Sequence, residues 1–173
     1  DKMARRVEKA CESIGIDKPW LFPCDASSDA DLDAIFAAVE KEFGTIDFVV
    51  HSIAFADKDY LQLGRFHETP RTVWNQAMDI SAYSLVALAR HAEPLMEKAI
   101  AKNEDATILT LTYHGARKVV PNYNVMGVAK AALECIIRQL GFEMAQYGIT
   151  VNAILAGATA TPASSKIPDF DKM

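Results

Sequence analysis

A phenol and an ammonium stand seven residues apart in this chain, at Tyr123 and Lys130. Seven residues make two turns of an α-helix, so on a helix both side chains lie on one face. The cation stabilises phenolate, and its three N–H donors can hold the hydroxyls of a ligand. Gly127 and Ala129 keep the face between them small, which leaves room for a large flat ligand. The simpler alternative is a core phenol and a solvated lysine, which is the commoner origin of such a pair.

Helix-like and strand-like segments alternate around this pair. Apolar spacing, caps and prolines predict helices at residues 2–14, 28–44, 69–98 and 122–147, the third of them bent or broken near Pro94. Strand-like runs fall at residues 20–24, 47–52, 106–113 and 149–155. This alternation is typical of βαβ units. It predicts one α/β domain, residues 1–173, with a doubly wound parallel sheet and helices on both faces.

Polar and small residues follow each predicted strand. Asp25 follows the first strand, and residues 52–56 follow the second. Tyr113 ends the third strand, and residues 156–161 follow the fourth. Ligands of parallel sheets bind at the carboxyl ends of the strands, so these four loops are expected to converge on one site. Each loop also has a plain explanation, in which Asp25 caps a turn and Gly157 supplies a positive φ.

The composition is that of an ordinary globular domain, with 50% hydrophobic and 24% charged residues among 173. The net charge of −5 and the lack of a basic cluster argue against nucleic acid or an anionic membrane as a partner. No apolar run of about 18 residues and no signal-peptide pattern occurs, so a cytoplasmic location is expected. Three cysteines without CxxC spacing predict reduced, buried thiols, and four histidines without ligand spacing predict no metal.

Five short blocks carry a more specific signal. They are Cys24-Asp25, residues 51–56, residues 79–84, residues 113–130 and residues 151–154. Together they resemble the enoyl-[acyl-carrier-protein] reductases, NADH-dependent members of the short-chain dehydrogenase/reductase superfamily. The resemblance extends from about Asp25 to Phe170 and implies a Rossmann-like fold. It also implies reduction of the carbon–carbon double bond of trans-2-enoyl thioesters, carried by acyl carrier protein, in fatty acid biosynthesis.

The spacing of the catalytic residues distinguishes this group from its relatives. Commoner short-chain dehydrogenases place a tyrosine four residues before the lysine and a serine thirteen residues before that tyrosine. Here those two positions hold Met126 and Tyr113, and the tyrosine is displaced by one helical turn to position 123. Ser81 takes the place of the usual helix asparagine. By resemblance, this set implies reduction of a conjugated carbon–carbon bond, not of a ketone.

The resemblance implies NADH as the cofactor. Asp25 is expected to contact the adenine amine, with Ala26 beside it. Ser52 and Ile53 are expected to line the path of the adenosine and its ribose. Lys130 is expected to hold the hydroxyls of the nicotinamide ribose. The loop expected around the nicotinamide and pyrophosphate consists of Ala158, Thr159, Ala160 and Thr161. It lacks the arginine that the family usually has there.

The resemblance also implies a substrate site. Tyr123 is expected to hydrogen-bond the thioester carbonyl, where negative charge collects as hydride reaches the β-carbon. Lys130 is expected to keep the local potential positive and so lower the cost of phenolate character in Tyr123. Tyr113 is the second catalytic phenol, near the acyl chain. The expected apolar acyl pocket, whose alternative is ordinary core, consists of Ala56, Leu61, Met126, Ile167 and Phe170.

Several expectations concern the whole protein. The eight glycines include no GxxxGxG turn, and the family's N-terminal glycine-rich unit and C-terminal Asp-Gly-Gly region are not found here, so the resemblance implies a domain that is incomplete at both ends. The family pairs its two long helices across two-fold axes, which implies a homotetramer. The faces expected to make this contact consist of Ala82, Leu85 and Ala89 on one helix and Ile136 and Leu140 on the other. Two alternatives stay open: another short-chain reductase acting on a ketone or small enone, and a non-catalytic scaffold that retains the fold.

Overall fold

A three-stranded parallel sheet forms the centre of the computed structural model, which describes residues 2–102, 104–157, 159–161, 164 and 167. The strands are β1 (Phe48–His51), β2 (Ala106–Tyr113) and β3 (Ile149–Ala156), in the order β1-β2-β3. The α-helices are α1 (Lys2–Ser13), α2 (Asp29–Phe43), α3 (Arg71–Met78), α4 (Ser84–Ile100) and α5 (Asn124–Met144). A π-helical turn, Asp79–Tyr83, joins α3 to α4. Short 3₁₀ turns lie at Lys58–Tyr60, Phe66–Glu68, His114–Ala116 and Ala145–Tyr147.

Alternating residues of β2 bury one face of the sheet. The buried residues are Ala106, Ile108, Thr110 and Thr112. They face α4 and α5, whose Leu85, Met96 and Leu133 share one fully buried core with Ile108. On the opposite face, Phe48 and Val50 of β1 are 66% and 51% exposed. The α/β class and the parallel sheet that the sequence predicted are both confirmed.

The predicted strand at residues 20–24 is wrong. The segment is extended, but no described residue pairs with it, and a strand exists only where a neighbour supplies a ladder of hydrogen bonds. Its aromatic side chains find other partners. Trp20 stacks on Phe22 at 5.9 Å between ring centroids and meets Phe43 of α2 edge-on at 5.5 Å. All three rings remain at least one-third exposed.

The prediction that the cysteine thiols are buried is wrong. Cys24 and Cys135 are exposed, and Cys11 is half-buried.

The long helix is interrupted in a different place from the one predicted. The α4 helix continues through Pro94, and the irregularity falls at the π-helical turn Asp79–Tyr83. Pro94 is exposed, so its ring lies on the solvent side of the helix. Buried neighbours on both sides, Ala92 and Leu95, hold the helix against the core.

The helix faces expected to contact a partner subunit are buried inside this chain. Ala82, Leu85 and Ala89 are 2%, 0% and 0% exposed. Leu140 is 9% exposed, and Ile136 packs against the same core. Ile136 is half-buried. For Ala82, Leu85, Ala89 and Leu140 this part of the prediction is wrong, because burial within the chain leaves them no surface for a partner. Their helical spacing is the same for a face that meets the core and for a face that meets a partner.

His51, at the end of β1, joins three elements through a buried polar network. The imidazole is 1% exposed. Its Nδ1 lies 2.9 Å from Thr110 Oγ1 of β2, and its Nε2 lies 2.8 Å from Ser84 Oγ at the start of α4. Ser84 Oγ donates to the carbonyl of Ile80 at 2.7 Å, so it is free to accept from Nε2–H. Thr110 Oγ1 in turn donates to the carbonyl oxygen of His51 at 3.1 Å, so both hydroxyls connect the imidazole to the backbone.

Acid is expected to destabilise the protein through this imidazole. Burial, assisted by the positive charge of Lys130, lowers the pKa of His51 from 6.5 to about 4. Between those two values the unfolded chain binds a proton that the folded chain does not. Stability is therefore lost as the pH falls through this window, by on the order of 3 kcal/mol. Urea unfolding at pH 7 and pH 4 measures the loss.

The His51→Asn variant provides the control. It keeps a polar side chain but removes the titrating group, while the carboxylates that also respond to acid stay the same. Its free energy of unfolding is expected to change less with pH than that of the wild type. Equal pH dependence in the two proteins would show that His51 is not the group responsible.

Candidate active site

Three strand ends and the start of α5 meet at one edge of the sheet. Because the strands are parallel, β1 ends at His51, β2 at Tyr113 and β3 at Ala156 on the same side. Tyr113 lies edge-on to Tyr123, with 5.0 Å between the ring centroids and 65° between their planes. Tyr123 is the residue before α5 and is 8% exposed. The two phenols that the sequence singled out are thus in contact.

Two glycines make this contact sterically feasible. A Cβ atom on Gly115 would lie 2.5 Å from Cδ1 of Tyr123 and 3.2 Å from Cδ1 of Tyr113. A Cβ atom on Gly127 would lie 2.8 Å from the carbonyl oxygen of Gly115. All three distances are shorter than van der Waals contact. Any larger residue at position 115 or 127 would therefore push the backbone away from the phenol pair.

Lys130 is a buried ammonium on α5. It is 7% exposed and donates to the carbonyl oxygen of Leu111 at 2.7 Å. Burial lowers its pKa to about 8, so it remains mostly charged at neutral pH and loses its charge as the pH rises through that value. Because it lowers the pKa of His51, its charge also acts across the end of the sheet.

Tyr123 is held as a neutral phenol. Burial, and secondly the neighbouring Tyr113, raise its pKa above its usual value. In this arrangement the ammonium is turned to Leu111, and the expectation that Lys130 eases phenolate formation in Tyr123 stays a prediction. A neutral phenol keeps its O–H, so it can donate a hydrogen bond to an acceptor that gains negative charge.

A cavity of about 330 Å³ lies beside this phenol. Tyr123 and four of the predicted substrate residues line it: Ala56, Leu61, Met126 and Ile167. Its wall also includes Thr161, predicted to bind cofactor, and four residues that were not predicted, Ala54, Phe55, Lys58 and Ser164. Tyr113 packs against Tyr123, and Phe170 lies outside the described residues.

The residues predicted to bind the adenosine lie at a second groove. Ala26 and Ile53 line an apolar groove of about 590 Å³ between α2, α4 and β1. Asp25 is exposed, and its Oδ1 accepts from the N–H and the hydroxyl of Ser27 at 2.9 and 2.7 Å. These bonds lower the pKa of Asp25 and give its carboxylate the turn-capping role that the sequence left open. Ser52 is exposed just beyond β1.

The loop after β3 is only partly described. Thr159 and Ala160 are exposed, and Ala158 lies outside the described residues. Thr161 forms a reciprocal turn with Ser164, in which each backbone N–H donates to the other hydroxyl, at 2.8 and 3.1 Å. Among these loop residues, the structure brings Thr161 to the wall of the phenol cavity.

Ser81 fixes another wall of that cavity. It lies on the π-helical turn and is 0% exposed. Its hydroxyl accepts from the N–H of Phe55 and donates to the carbonyl of the same residue, both at 2.9 Å. The side chain that replaces the usual helix asparagine therefore holds the loop after β1 in place.

Known proteins match this chain over its whole length. The sequence profile of the family described as "Enoyl-(Acyl carrier protein) reductase" matches residues 1–173. The chain belongs to this family. It is 48% identical over 170 residues to "Enoyl-[acyl-carrier-protein] reductase [NADH] 1" of Rhizobium meliloti, covering 98% of this chain and 59% of that protein. The FabI enzyme of Bacillus cereus is 41% identical over 173 residues, with 100% and 65% covered.

Solved structures of the family have the same fold. The crystal structure of the Bacillus cereus enoyl-acyl carrier protein reductase with NADP+ and indole naphthyridinone aligns with a TM-score of 0.90 at 41% identity, over 99% of this chain and 64% of that one. The enzyme of Anaplasma phagocytophilum in complex with NAD aligns with a TM-score of 0.85 at 40% identity, covering 99% and 60%. The chain spans about three fifths of the length of the curated relatives it matches.

No group of three or more potential metal ligands occurs among the described residues, and no helix among them is long and apolar enough to cross a membrane.

Two kinds of residue at this site were not found from the sequence. The residues that were missed act through packing and hydrogen bonds: Gly115, and the asparagines on both sides of Tyr123. Their signal was the run Pro121–Asn124, since asparagine is the side chain that best tolerates a positive φ.

The Gly115→Ala variant tests the phenol contact. The added methyl overlaps the Tyr123 ring, so the variant is expected to lose about 1–3 kcal/mol of stability through overpacking. Chemical denaturation measures the loss. Gly157→Ala is the matched control, because its Cβ would meet nothing within 4 Å and its φ is not positive. Equal stability of the two variants would contradict the packing account.

Proposed function

We propose that the full-length protein is an NADH-dependent enoyl-[acyl-carrier-protein] reductase of fatty acid biosynthesis. The proposed reaction reduces the carbon–carbon double bond of trans-2-enoyl-acyl-carrier-protein thioesters. The observation that carries the proposal is a neutral, buried phenol at a largely apolar cavity, with a buried ammonium on the helix that follows it, in a chain of this family. NADH is favoured because the Rhizobium meliloti and Bacillus cereus relatives are named for it.

The residues present suit a nicotinamide dinucleotide at this edge of the sheet. Lys130 donates one of its three N–H groups to the carbonyl oxygen of Leu111, so two remain for the hydroxyls of a ribose. Ala26 and Ile53 line an apolar groove that suits a flat base. The proposed set is completed by Asp25, Ser52 and the loop residues Ala158, Thr159, Ala160 and Thr161. When bound, the cofactor would supply the hydride that adds to the β-carbon of the substrate.

Tyr123 is proposed to act on the thioester carbonyl oxygen. As the β-carbon receives hydride, electrons move towards that oxygen, and a donor aimed at it stabilises the transition state more than the ground state. Because the raised pKa keeps Tyr123 protonated, its O–H stays available as a donor, and the stabilisation comes first from the hydrogen bond. Tyr113 packs against this ring and limits its movement. The acyl chain would occupy the cavity lined by Leu61 and Met126.

The partners belong to the same proposal. Acyl carrier protein carrying the enoyl group is the proposed macromolecular partner, and the cytoplasm is the proposed location. Residues 1–173 are proposed to be part of one Rossmann-like domain. A homotetramer is proposed as the assembly. Its support here is exposed apolar surface on and near α5, where Phe142 is 82% exposed and Val119 is 97% exposed.

Two variants should separate chemistry from binding in the full-length enzyme. Tyr123→Phe removes the O–H donor and is expected to lower turnover of crotonyl thioester by about 10²–10⁴-fold, with little change in NADH affinity. Lys130→Met removes the ribose donors and is expected to weaken NADH binding itself, measured by fluorescence titration. Wild-type turnover in Tyr123→Phe would refute the role of the phenol. Unchanged NADH affinity in Lys130→Met would refute the role of the ammonium.

Acetoacetyl thioester is the control substrate for the reaction type. Preferential reduction of this substrate over crotonyl thioester would indicate a ketone reductase.

Light scattering tests the assembly. The full-length protein is expected to show a mass four times that of its chain, independent of dilution through the micromolar range, because closed symmetric assemblies of this kind bury large interfaces. A monomeric mass at all concentrations would contradict the tetramer without bearing on the proposed reaction.

A further inference from the structure

Two asparagines with left-handed backbone conformations flank Tyr123. Asn122 has φ 65° and Asn124 has φ 35°, and these are the only positive φ values of non-glycine residues in the described part of the chain. Such values are unfavourable for residues with a Cβ atom, and asparagine tolerates them best. Strained backbone persists where surrounding contacts fix it, and it is concentrated at functional sites. Here it falls on both neighbours of the proposed electrophile.

The side chains of both asparagines bond to a distant segment. Nδ2 of Asn124 donates to the carbonyl oxygens of Tyr60 and Gln62 at 2.6 and 2.8 Å. Oδ1 of Asn122 accepts from the N–H of Leu63 at 2.8 Å. The three bonds join segments about 60 residues apart in sequence. We call these two asparagines and their three bonds the asparagine clip.

Helix capping does not explain the clip. Asn124 is the first residue of α5, and a capping asparagine there would accept from an N–H of the same helix. Its amide instead donates out of the helix, and no side-chain cap bond is present at this end of α5. The polarity of each bond is set by its partner, because carbonyl oxygens can only accept and a backbone N–H can only donate.

The segment held by the clip carries a wall of the phenol cavity. Leu61 lies between the bonded residues Tyr60 and Gln62 and is 7% exposed. It packs in one buried cluster with Tyr123 and Met126, and all three line the cavity. The distance between the phenol and this wall is therefore fixed by bonds that start on the two residues adjacent to the phenol.

We propose that Asn122 and Asn124 are positioning residues, which hold Tyr123 and the Leu61 wall at a set separation so that the phenol meets the thioester carbonyl. The inference rests on the proposed function and deepens it. Neither asparagine needs to touch the substrate. Both act through Tyr123, because a small misplacement of a catalytic group costs turnover more than it costs binding.

The opposite polarity of the two asparagines provides a matched pair of variants. Asn122→Asp and Asn124→Asp each replace an amide by a carboxylate of the same shape, add one negative charge beside Tyr123 and retain a residue type that tolerates positive φ. Asn122→Asp keeps an oxygen facing the N–H of Leu63. Asn124→Asp loses both donors and places a carboxylate against two carbonyl oxygens.

In the full-length enzyme, Asn124→Asp is expected to lower kcat for crotonyl thioester by about 10²-fold, while NADH affinity and KM change by less than about threefold. Asn122→Asp is expected to lose at least about tenfold less kcat than Asn124→Asp, because it keeps the oxygen that accepts from the N–H of Leu63. Amide exchange in residues 60–63 is expected to accelerate in Asn124→Asp only. If Asn124→Asp fails to fold, Asn124→Gly replaces it, since it keeps the backbone conformation and removes the side chain.

Each other outcome overturns the inference. Equal losses of kcat in the two aspartate variants would assign the effect to charge, and a loss of thermal stability with unchanged kcat would assign the clip a structural role only. If the wild type does not reduce enoyl thioesters, the proposed function fails. The asparagine clip is then tested by amide exchange in residues 60–63 and by the Tyr123 Cζ resonance in ¹³C-tyrosine NMR. If neither measurement differs between the two aspartate variants, the positioning role of the clip is refuted too.

Discussion

The parallel pairing of β2 with a strand on each side is the constraint on which the site depends. It fixes the ends of β1, β2 and β3 at one edge and sets their register, with His51 opposite Thr110 and Tyr113 opposite Ala156. Everything of chemical interest is attached to that edge. Tyr113 is the last residue of β2, and the chain turns at Gly115 before it returns to place Tyr123 against the same phenol. A shift of one residue in register would turn every side chain of the shifted strand to the opposite face of the sheet.

Burial sets the charge state of each group at this edge. His51 is kept neutral, Tyr123 is kept protonated, and Lys130 is the one buried cation described there. Desolvation is the leading cause of all three pKa shifts. The charge states at this site therefore depend more on the exclusion of water than on ion pairing. The described residues leave no buried side-chain polar atom without a hydrogen-bond partner. A satisfied network of this kind keeps its members in one geometry.

The sequence was sufficient for features that follow from periodicity and was insufficient for those that depend on distant partners. The strand-like run at residues 106–113 predicted β2 correctly, and the Tyr113-to-Lys130 spacing identified the phenols that now lie in contact. Residues 20–24 looked like a strand because composition reports a preference for extended backbone, whereas a strand also needs a neighbour. Leu85 and Leu140 looked like interface residues because a helix stripe does not reveal which surface will cover it. The asparagine clip could not be predicted from the sequence, because the residues to which the two asparagines bond lie about 60 residues away.

The long separation of the three strands also bears on how the chain folds. No two strands are joined by a hairpin, and each pairing closes a loop of dozens of residues before its first hydrogen bond forms. Helices such as α4 and α5 can form early from local contacts, but the imidazole of His51 meets Thr110 and Ser84 only after two separate strands and a helix have docked. The edge that carries the phenols is therefore a late product of assembly. Until it closes, the apolar residues of β1 and β2 stay exposed together, and this is the stage at which nascent chains are most prone to associate with one another.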